Sequence, residues 1–344
     1  MLNFASDNVA GCCPEVAQAL LEASTGTTPS YGNDEWTRTT EAELRELFEK
    51  PDLVAFPVLT GTAANCLALA TLCPPWGTIL CHADSHVNSD EATAPGLLTG
   101  GAKLVPLTGA DAKLTVESVR EAAATAGSRG VHRAPAKALT LTQATELGTL
   151  YHPEEIEDLC SAAREHGMAV HMDGARFANA VMALGVSPAD MTWRLGVDAL
   201  SFGATKNGAW AAEAVIFFNP DHAEAFQYHR KRAGHLLSKS RFLGIQLSAY
   251  LQDGVWLRNA AHANAMAAML SDGLTEVPGV ELLLPTEINE VFVRLPDTVR
   301  AALIAAGVIV APWPDLGPGA VRMVTAFDTR AEDVATVIAT AATA

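Results

Sequence analysis

The sequence predicts an α/β chain in which a mostly parallel, seven-stranded sheet carries helices on both faces and a smaller α+β unit follows at the C-terminus. Three observations point there. Short apolar runs of strand length alternate with helical patterns through the first two thirds of the chain, as a sheet built from crossover connections requires. That alternation stops near residue 237, where a long helical pattern begins, and strand signals return only after it. With 344 residues, 49% of them hydrophobic and 18% charged, the chain has the length and apolar content to fill one large core and a smaller one.

The elements follow in order. Ala55-Phe56-Pro57-Val58-Leu59 reads as a buried strand despite its proline, and the Ala- and Leu-rich stretch 61–72 as the helix after it. Stretches 78–81, 103–107 and 138–142 are further strands. A helix is predicted over 153–166, with Pro153 at its start and charges along one face. Strands at 169–172, 199–202 and 214–217 complete the sheet. Folds of this kind bind ligands on the loops at the strand ends. Beyond residue 237 one or two long helices run to about residue 272, with Asp253-Gly254 as a break. Strands at 281–284 and 291–295, a helix at 296–306, a strand at 321–324 and an Ala-rich helix from Arg330 close the chain. Residues 1–240 are taken as the large unit and 241–344 as the small one, with the first ~20 residues free to pack against the latter.

A formal charge of −16 argues against nucleic acid and anionic membranes as partners, because both are polyanions. It leaves room for a local basic pocket that takes a small anion. Met1-Leu2-Asn3-Phe4 lacks the charged and apolar regions of a signal peptide, and no run of ~18 apolar residues suggests a membrane span. A soluble, cytoplasmic protein is expected. The six cysteines show no metal-ligand spacing, so free thiols and no metal site are expected.

Four segments carry chemistry. In Ser201-Phe202-Gly203-Ala204-Thr205-Lys206-Asn207-Gly208 a strand ends among small residues that let a flat group approach the backbone. A lysine kept from water there has its charged form disfavoured, and its amine becomes the nucleophile that a Schiff base needs. Taken alone, a lysine after a strand is more often solvated surface. In His171-Met172-Asp173-Gly174-Ala175-Arg176 an acid ends the preceding predicted strand, 33 residues before Lys206, so that the two can flank one pocket. A carboxylate there can pair with the pyridine nitrogen of pyridoxal phosphate, or simply cap the next helix. In Leu59-Thr60-Gly61-Thr62-Ala63-Ala64-Asn65 a helix starts with hydroxyls in its first turn, which suits a phosphate and equally suits capping by Thr60 or Thr62. Neither GxxxxGK[ST] nor GxGxxG follows the first strand, so a nucleotide is not indicated. In the loop 81–91, His86 can stack on a ring or act as acid or base, although a loop histidine is more often only hydrogen-bonded. A metal there lacks third and fourth ligands.

Together these segments resemble the L-threonine aldolases of the pyridoxal-phosphate-dependent threonine aldolase and β-eliminating lyase family. Ser6-Asp7-Asn8-Val9-Ala10-Gly11, Ser30-Tyr31-Gly32-Asn33-Asp34, Gly61-Thr62-Ala63-Ala64-Asn65, Thr145-Glu146-Leu147-Gly148-Thr149, His171 to Arg176 and Thr205-Lys206-Asn207-Gly208 occur in the family's order. The likeness is dense over about the first 250 residues and loose beyond.

The resemblance implies an aspartate-aminotransferase-like fold, pyridoxal 5'-phosphate as cofactor and retro-aldol cleavage of a β-hydroxy-α-amino acid such as threonine, allo-threonine or phenylserine. It implies that Lys206 carries the cofactor, that Asp173 pairs with its ring nitrogen and that His86 stacks on the ring. Gly61, Thr62 and Thr205 would hold the phosphate. Ser6, Arg176 and Arg322 would hold the substrate carboxylate, for which a guanidinium fork is suited. His132 matches a second family histidine by position only, and is a candidate base for the β-hydroxyl beside His86. Arg230-Lys231-Arg232-Ala233-Gly234 is either a solvated helix end or an anion contact near the phosphate. Tyr31, Trp36 and Glu91 are candidates for the pocket of the β-substituent, and equally for packing. A homotetramer is implied. Two alternatives remain open: β-elimination or transamination on the same fold, and a non-catalytic relative that binds the cofactor.

Overall fold

Seven apolar runs become the strands of one sheet in a computed structural model that describes residues 2–344. In chain order they are β1 (Val54–Val58), β2 (Thr78–His82), β3 (Lys103–Leu107), β4 (Ala136–Thr142), β5 (Ala169–Gly174), β6 (Ala199–Gly203) and β7 (Glu213–Phe217). They lie side by side as β1-β7-β6-β5-β4-β2-β3. Only β7 runs antiparallel to its neighbours, so β1 and β6 point the same way on either side of it. The two prolines of this sheet, Pro57 and Pro106, sit on the edge strands β1 and β3, where a missing N–H breaks no central ladder.

This topology gathers one set of strand ends. The C-terminal ends of β1, β4, β5 and β6 and the first residue of β7 all meet at one edge. Two close approaches there require glycine. A Cβ on Gly203 would stand 2.5 Å from the Ala175 carbonyl oxygen, and one on Gly174 would stand 2.7 Å from that of Ser201. The helix Gly61–Leu72 starts at the same edge and is apolar and buried nearly all round, between the sheet and the helix Ala223–Arg232. An aromatic cluster closes the opposite side: Phe202 on β6 meets Phe48, Phe177, Tyr250 and Trp256 with ring centroids 5.9–6.2 Å apart.

The helical pattern from residue 237 resolves into Arg241–Leu251 and Val255–Thr275. They are divided where expected, with Asp253 and Gly254 both at positive φ. The second of these helices packs at one end on Phe177–Leu184 and at the other on the C-terminal helix Ala331–Ala342. A second hydrophobic core lies around that far end, with Leu270, Leu274, Val291, Val293, Met323, Val334 and Val337. Its strands are β8 (Glu281–Leu282), β9 (Glu290–Arg294), β10 (Ala311–Pro312) and β11 (Ala320–Val324), in the order β10-β11-β9-β8 and antiparallel throughout. The N-terminus joins this unit: Leu2–Asn3 pairs in parallel with Val308–Ile309, and Phe4 is buried in the second core. Among the described residues no helix is long and apolar enough to cross a membrane.

Candidate active site

A cavity of about 330 Å³ opens at the shared strand ends, a volume within the usual range for small-molecule sites. It is lined by Gly61, Thr62, His86, Asp173, Arg176, Thr205 and Lys206, so most of the site residues expected from the sequence meet there.

Lys206 sits in the single turn Thr205–Asn207 after β6. Its neighbour fixes that turn. Asn207 Nδ2 donates to the Tyr250 hydroxyl at 2.7 Å and to the Trp256 carbonyl at 2.8 Å, and the Asn207 carbonyl accepts from Asn259 at 2.9 Å. Among the described residues the Lys206 amine has no hydrogen-bond or ion-pair partner, although the side chain is half-buried. An anchored backbone and a free amine are what a covalent attachment point needs.

Asp173 ends β5 and is buried. Its Oδ1 accepts from the Ala175 N–H at 3.0 Å and its Oδ2 from Asn65 Nδ2 at 2.7 Å. It does not cap the next helix, whose N-cap position is Arg176. The same Asn65 amide donates to Glu91 Oε1 at 2.9 Å, and Glu91 Oε1 also meets His86 Nδ1 at 2.9 Å. Cys66 donates to the other Glu91 oxygen at 3.1 Å. Glu91 is therefore a buried brace beneath His86 and not part of the cavity wall. Its hydrogen bond raises the pKa of His86.

The start of the helix Gly61–Leu72 offers free donors. Thr60 Oγ1 caps the Ala63 N–H at 3.2 Å and the Thr60 carbonyl takes the Ala64 N–H, which leaves the Gly61 and Thr62 N–H groups without partners among the described residues. A Cβ on Gly61 would meet nothing within 4 Å. Arg230 is not a solvated helix end: it is buried and, among the described residues, has no carboxylate partner and leaves Nη2 without a hydrogen bond. Burial lowers its pKa to about 10. Lys231 stands 4.9 Å over the Tyr31 ring.

Arg176 is held from two sides. Nε and Nη2 form a fork on Asp7 at 2.8 and 3.0 Å, and Nη1 lies 3.3 Å from Glu290 Oε2. Glu290 Oε1 is in turn 3.3 Å from Arg322 Nη1. Arg322 does not line the cavity itself; it stacks 4.6 Å over Trp313 and joins Arg176 through Glu290. Ser6 accepts the Asn8 N–H at 3.1 Å, and Asn8 lines the cavity.

His132 is the exception. It belongs to the exposed turn Gly130–His132 that precedes β4, whereas the cavity is reached by Thr142 at the far end of that strand. At ~3.3 Å per residue the strand separates the two by roughly 20 Å. In this chain His132 lines a different groove, with Thr78, Lys103 and Arg133. Position along the chain, without a motif, could not tell the two ends of a strand apart. Tyr31 and Trp36 also lie outside the cavity: Tyr31 is exposed, and Trp36 packs against the cluster of Ala19, Ala23 and Ile245.

Two cavity acids escaped the sequence reading. Glu213 opens an otherwise apolar strand, is buried, accepts the Ala204 N–H at 2.9 Å, and has its pKa raised to about 7 by burial. A lone acid in an apolar run was its only signal. Glu146 lies inside a segment already singled out, but its role depends on which groups the fold brings to it. Among the described residues no group of three or more His, Cys, Asp or Glu is placed to hold a metal.

His171 lies one residue pair behind Asp173 on β5, with Nδ1 2.8 Å from Thr140 Oγ1 and Nε2 2.9 Å from Ser201 Oγ. Burial lowers its pKa to about 4, so it is neutral in the fold, while the unfolded chain binds a proton below about 6.5. Its contribution to stability is complete above that value and is lost as pH falls to about 4. Unfolding free energies measured in urea are expected to fall by roughly 3 kcal/mol across that window from this group. His171→Gln should remove that part of the dependence.

The chain matches a family of known proteins over most of its length. The β-eliminating lyase family model matches residues 3–298. The low specificity L-threonine aldolase of Pseudomonas aeruginosa is 44% identical over 334 residues, which is 96% of this chain and 94% of that relative. The low specificity L-threonine aldolase of Escherichia coli K12 is 27% identical over 344 residues, 98% of each chain. Among solved structures, the threonine aldolase of Leishmania major superposes with a TM-score of 0.91 at 27% identity, covering 98% of both chains. The serine palmitoyltransferase of Sphingomonas wittichii shares the fold, with a TM-score of 0.71 at 18% identity over 99% of this chain and 86% of that one.

Proposed function

The chain belongs to the β-eliminating lyase family, and on that basis we propose that it is a pyridoxal-phosphate enzyme that cleaves L-threonine, L-allo-threonine or a related β-hydroxy-α-amino acid to glycine and an aldehyde. The observation that carries this reading is the meeting of Lys206, Asp173 and Arg176 on one cavity. A relative that bears the aldolase name and covers almost the whole chain supports the choice of reaction.

The residues present fit the cofactor. Lys206 offers an unpartnered amine, Asp173 a buried carboxylate with its charge braced by Asn65, and the helix start two free N–H groups with open space before Gly61. The unsatisfied guanidinium of Arg230 marks a second place where an anion is favoured. Lys206 would hold pyridoxal phosphate covalently, Asp173 would face its ring nitrogen, and Gly61, Thr62 and Thr205 would hold its phosphate. Once bound, the cofactor supplies a sink for the electron pair released at the substrate Cα.

The chain's own residues then do the orienting. Arg176 would fix the substrate carboxylate, and that anchor sets which bond at Cα faces the cofactor's ring; Arg322, through Glu290, and Ser6, beside Asn8, would support it from behind the cavity wall. Asp7 and Glu290 hold the two guanidinium groups in place for it. His86, braced by Glu91, would lie against the ring. Cytoplasmic location and a homotetramer complete the proposal; sedimentation of the purified protein reads the latter.

The test is a product assay on protein incubated with pyridoxal phosphate and L-threonine, L-allo-threonine or L-phenylserine. Glycine with the matching aldehyde is expected, and the relative rates rank the substrates. Ammonia with a keto acid would replace the aldolase reading by β-elimination, and an inert, cofactor-loaded protein would replace it by a non-catalytic role.

A further inference from the structure

We propose that Glu146 is the base that takes the β-hydroxyl proton of the substrate, an assignment that rests on the aldolase reading above. Glu146 occupies the second position of a turn closed by Gly148 N–H donating to the Thr145 carbonyl at 3.0 Å. The turn is fixed from several sides. The Leu147 N–H donates to Thr145 Oγ1 at 3.3 Å, the Thr145 and Thr149 hydroxyls meet at 2.7 Å, and Thr149 Oγ1 donates to the Asp111 carbonyl at 2.6 Å. Gly148, at φ +71°, leaves no spare room against Glu290, since a Cβ there would stand 3.2 Å from the Glu290 Cβ. The turn therefore presents the Glu146 side chain to the cavity from a rigid support.

The other candidates are committed elsewhere. Asp173 spends its oxygens on Asn65 and Ala175, and Glu213 accepts from Ala204. His86 spends its Nδ1 on Glu91 at 2.9 Å, and the ring it is expected to lay against the cofactor is held by that contact. His132 lies outside the cavity. Glu146 alone among the cavity's carboxylates has no hydrogen-bond partner among the described residues. The groups that face it are Lys206, Arg176 and His86 as cations and Asp173 and Glu290 as acids. Burial dominates over them and raises its pKa above the ordinary glutamate value, the direction that makes a carboxylate a better base.

In the step, the hydroxyl proton passes to a Glu146 oxygen, the O–H pair becomes the second bond of the aldehyde carbonyl, and the Cα–Cβ bond breaks with its pair left at Cα. Cα later takes a proton and Glu146 returns its own to solvent. Glycine and acetaldehyde together are isomeric with threonine, so no further reactant is needed.

The test compares the loaded wild type with Glu146→Gln and Glu146→Asp. Glu146→Gln is expected to cleave L-threonine ~100-fold more slowly. It should exchange the α-hydrogen of glycine with deuterium oxide near the wild-type rate, because that reaction has no hydroxyl to deprotonate. The wild-type pH profile of kcat/KM should show an acid limb above the ordinary glutamate range, kept in Glu146→Asp and absent in Glu146→Gln. In cofactor-free protein, a difference proton titration between wild type and Glu146→Gln should show one group titrating above that range. Undiminished cleavage by Glu146→Gln, or loss of exchange as severe as loss of cleavage, would overturn this role alone. A wild type that exchanges glycine but yields no aldehyde would remove the aldolase reading and this role with it. Should Glu146→Gln fail to fold, the wild-type limb and its retention in Glu146→Asp decide the matter.

Discussion

Lys206→Ala is expected to lose the visible imine band of the bound cofactor and to lower turnover by about 10³-fold or more. The size follows from the position of the lysine. Its backbone is pinned through Asn207 to Tyr250, Trp256 and Asn259, and its amine reaches a cavity that holds no other lysine. Among the described residues no neighbour on the cavity supplies a second primary amine, so a truncated side chain has no substitute. The fold should survive, because Lys206 makes no hydrogen bond or ion pair among the described residues that truncation would orphan. Borohydride reduction followed by peptide mass analysis provides a reading independent of turnover: the cofactor should be fixed on Lys206 in the wild type and on no peptide of the variant. A normal band with normal cleavage in Lys206→Ala would remove the central assignment.

Fold and site were legible in the sequence to different degrees. The seven strands of the large sheet were legible to within a residue or two, because strands buried on both faces appear as apolar runs bounded by polar or small residues. The pairing of Leu2–Asn3 with Val308–Ile309 was not legible, since two residues carry no period and the partner is far along the chain. Within the site, Lys206, Asp173 and the Gly61–Thr62 turn could be found because each lies where a strand ends or a helix begins. Asn65 and Glu290 carry no such signal, and Glu91, a candidate for the β-substituent pocket or for packing, lies outside the cavity as a brace for His86. Their meaning comes from what they touch across the fold: Asn65 joins Asp173 to Glu91, and Glu290 joins Arg176 to Arg322. His132 is the reverse case, a residue plausible by type and position that the strand direction carries to the other edge of this chain's sheet.

Asp173→Asn separates charge from hydrogen bonding at the centre of the site. An asparagine at this position can still accept the Ala175 N–H through its carbonyl oxygen, so the local turn is preserved. What it loses is the negative charge, and its amide then points a donor at Asn65 Nδ2, itself a donor. If Asp173 serves only that turn, the variant should cleave threonine at close to the wild-type rate. If its charge keeps the cofactor's ring nitrogen protonated, cleavage should fall by about 10²–10³-fold while the protein still binds pyridoxal phosphate. The second outcome is expected, because the structure spends a buried asparagine on bracing this carboxylate and links it to Glu91 and His86 on the same side of the cavity. Asn65→Ala distinguishes the brace from the charge. It leaves the carboxylate in place but free to turn, and should cost less than Asp173→Asn in cleavage rate. Single-turnover rates together with the cofactor's absorbance read both effects, and equal losses in the two variants would mean that the brace and not the charge is what the reaction needs.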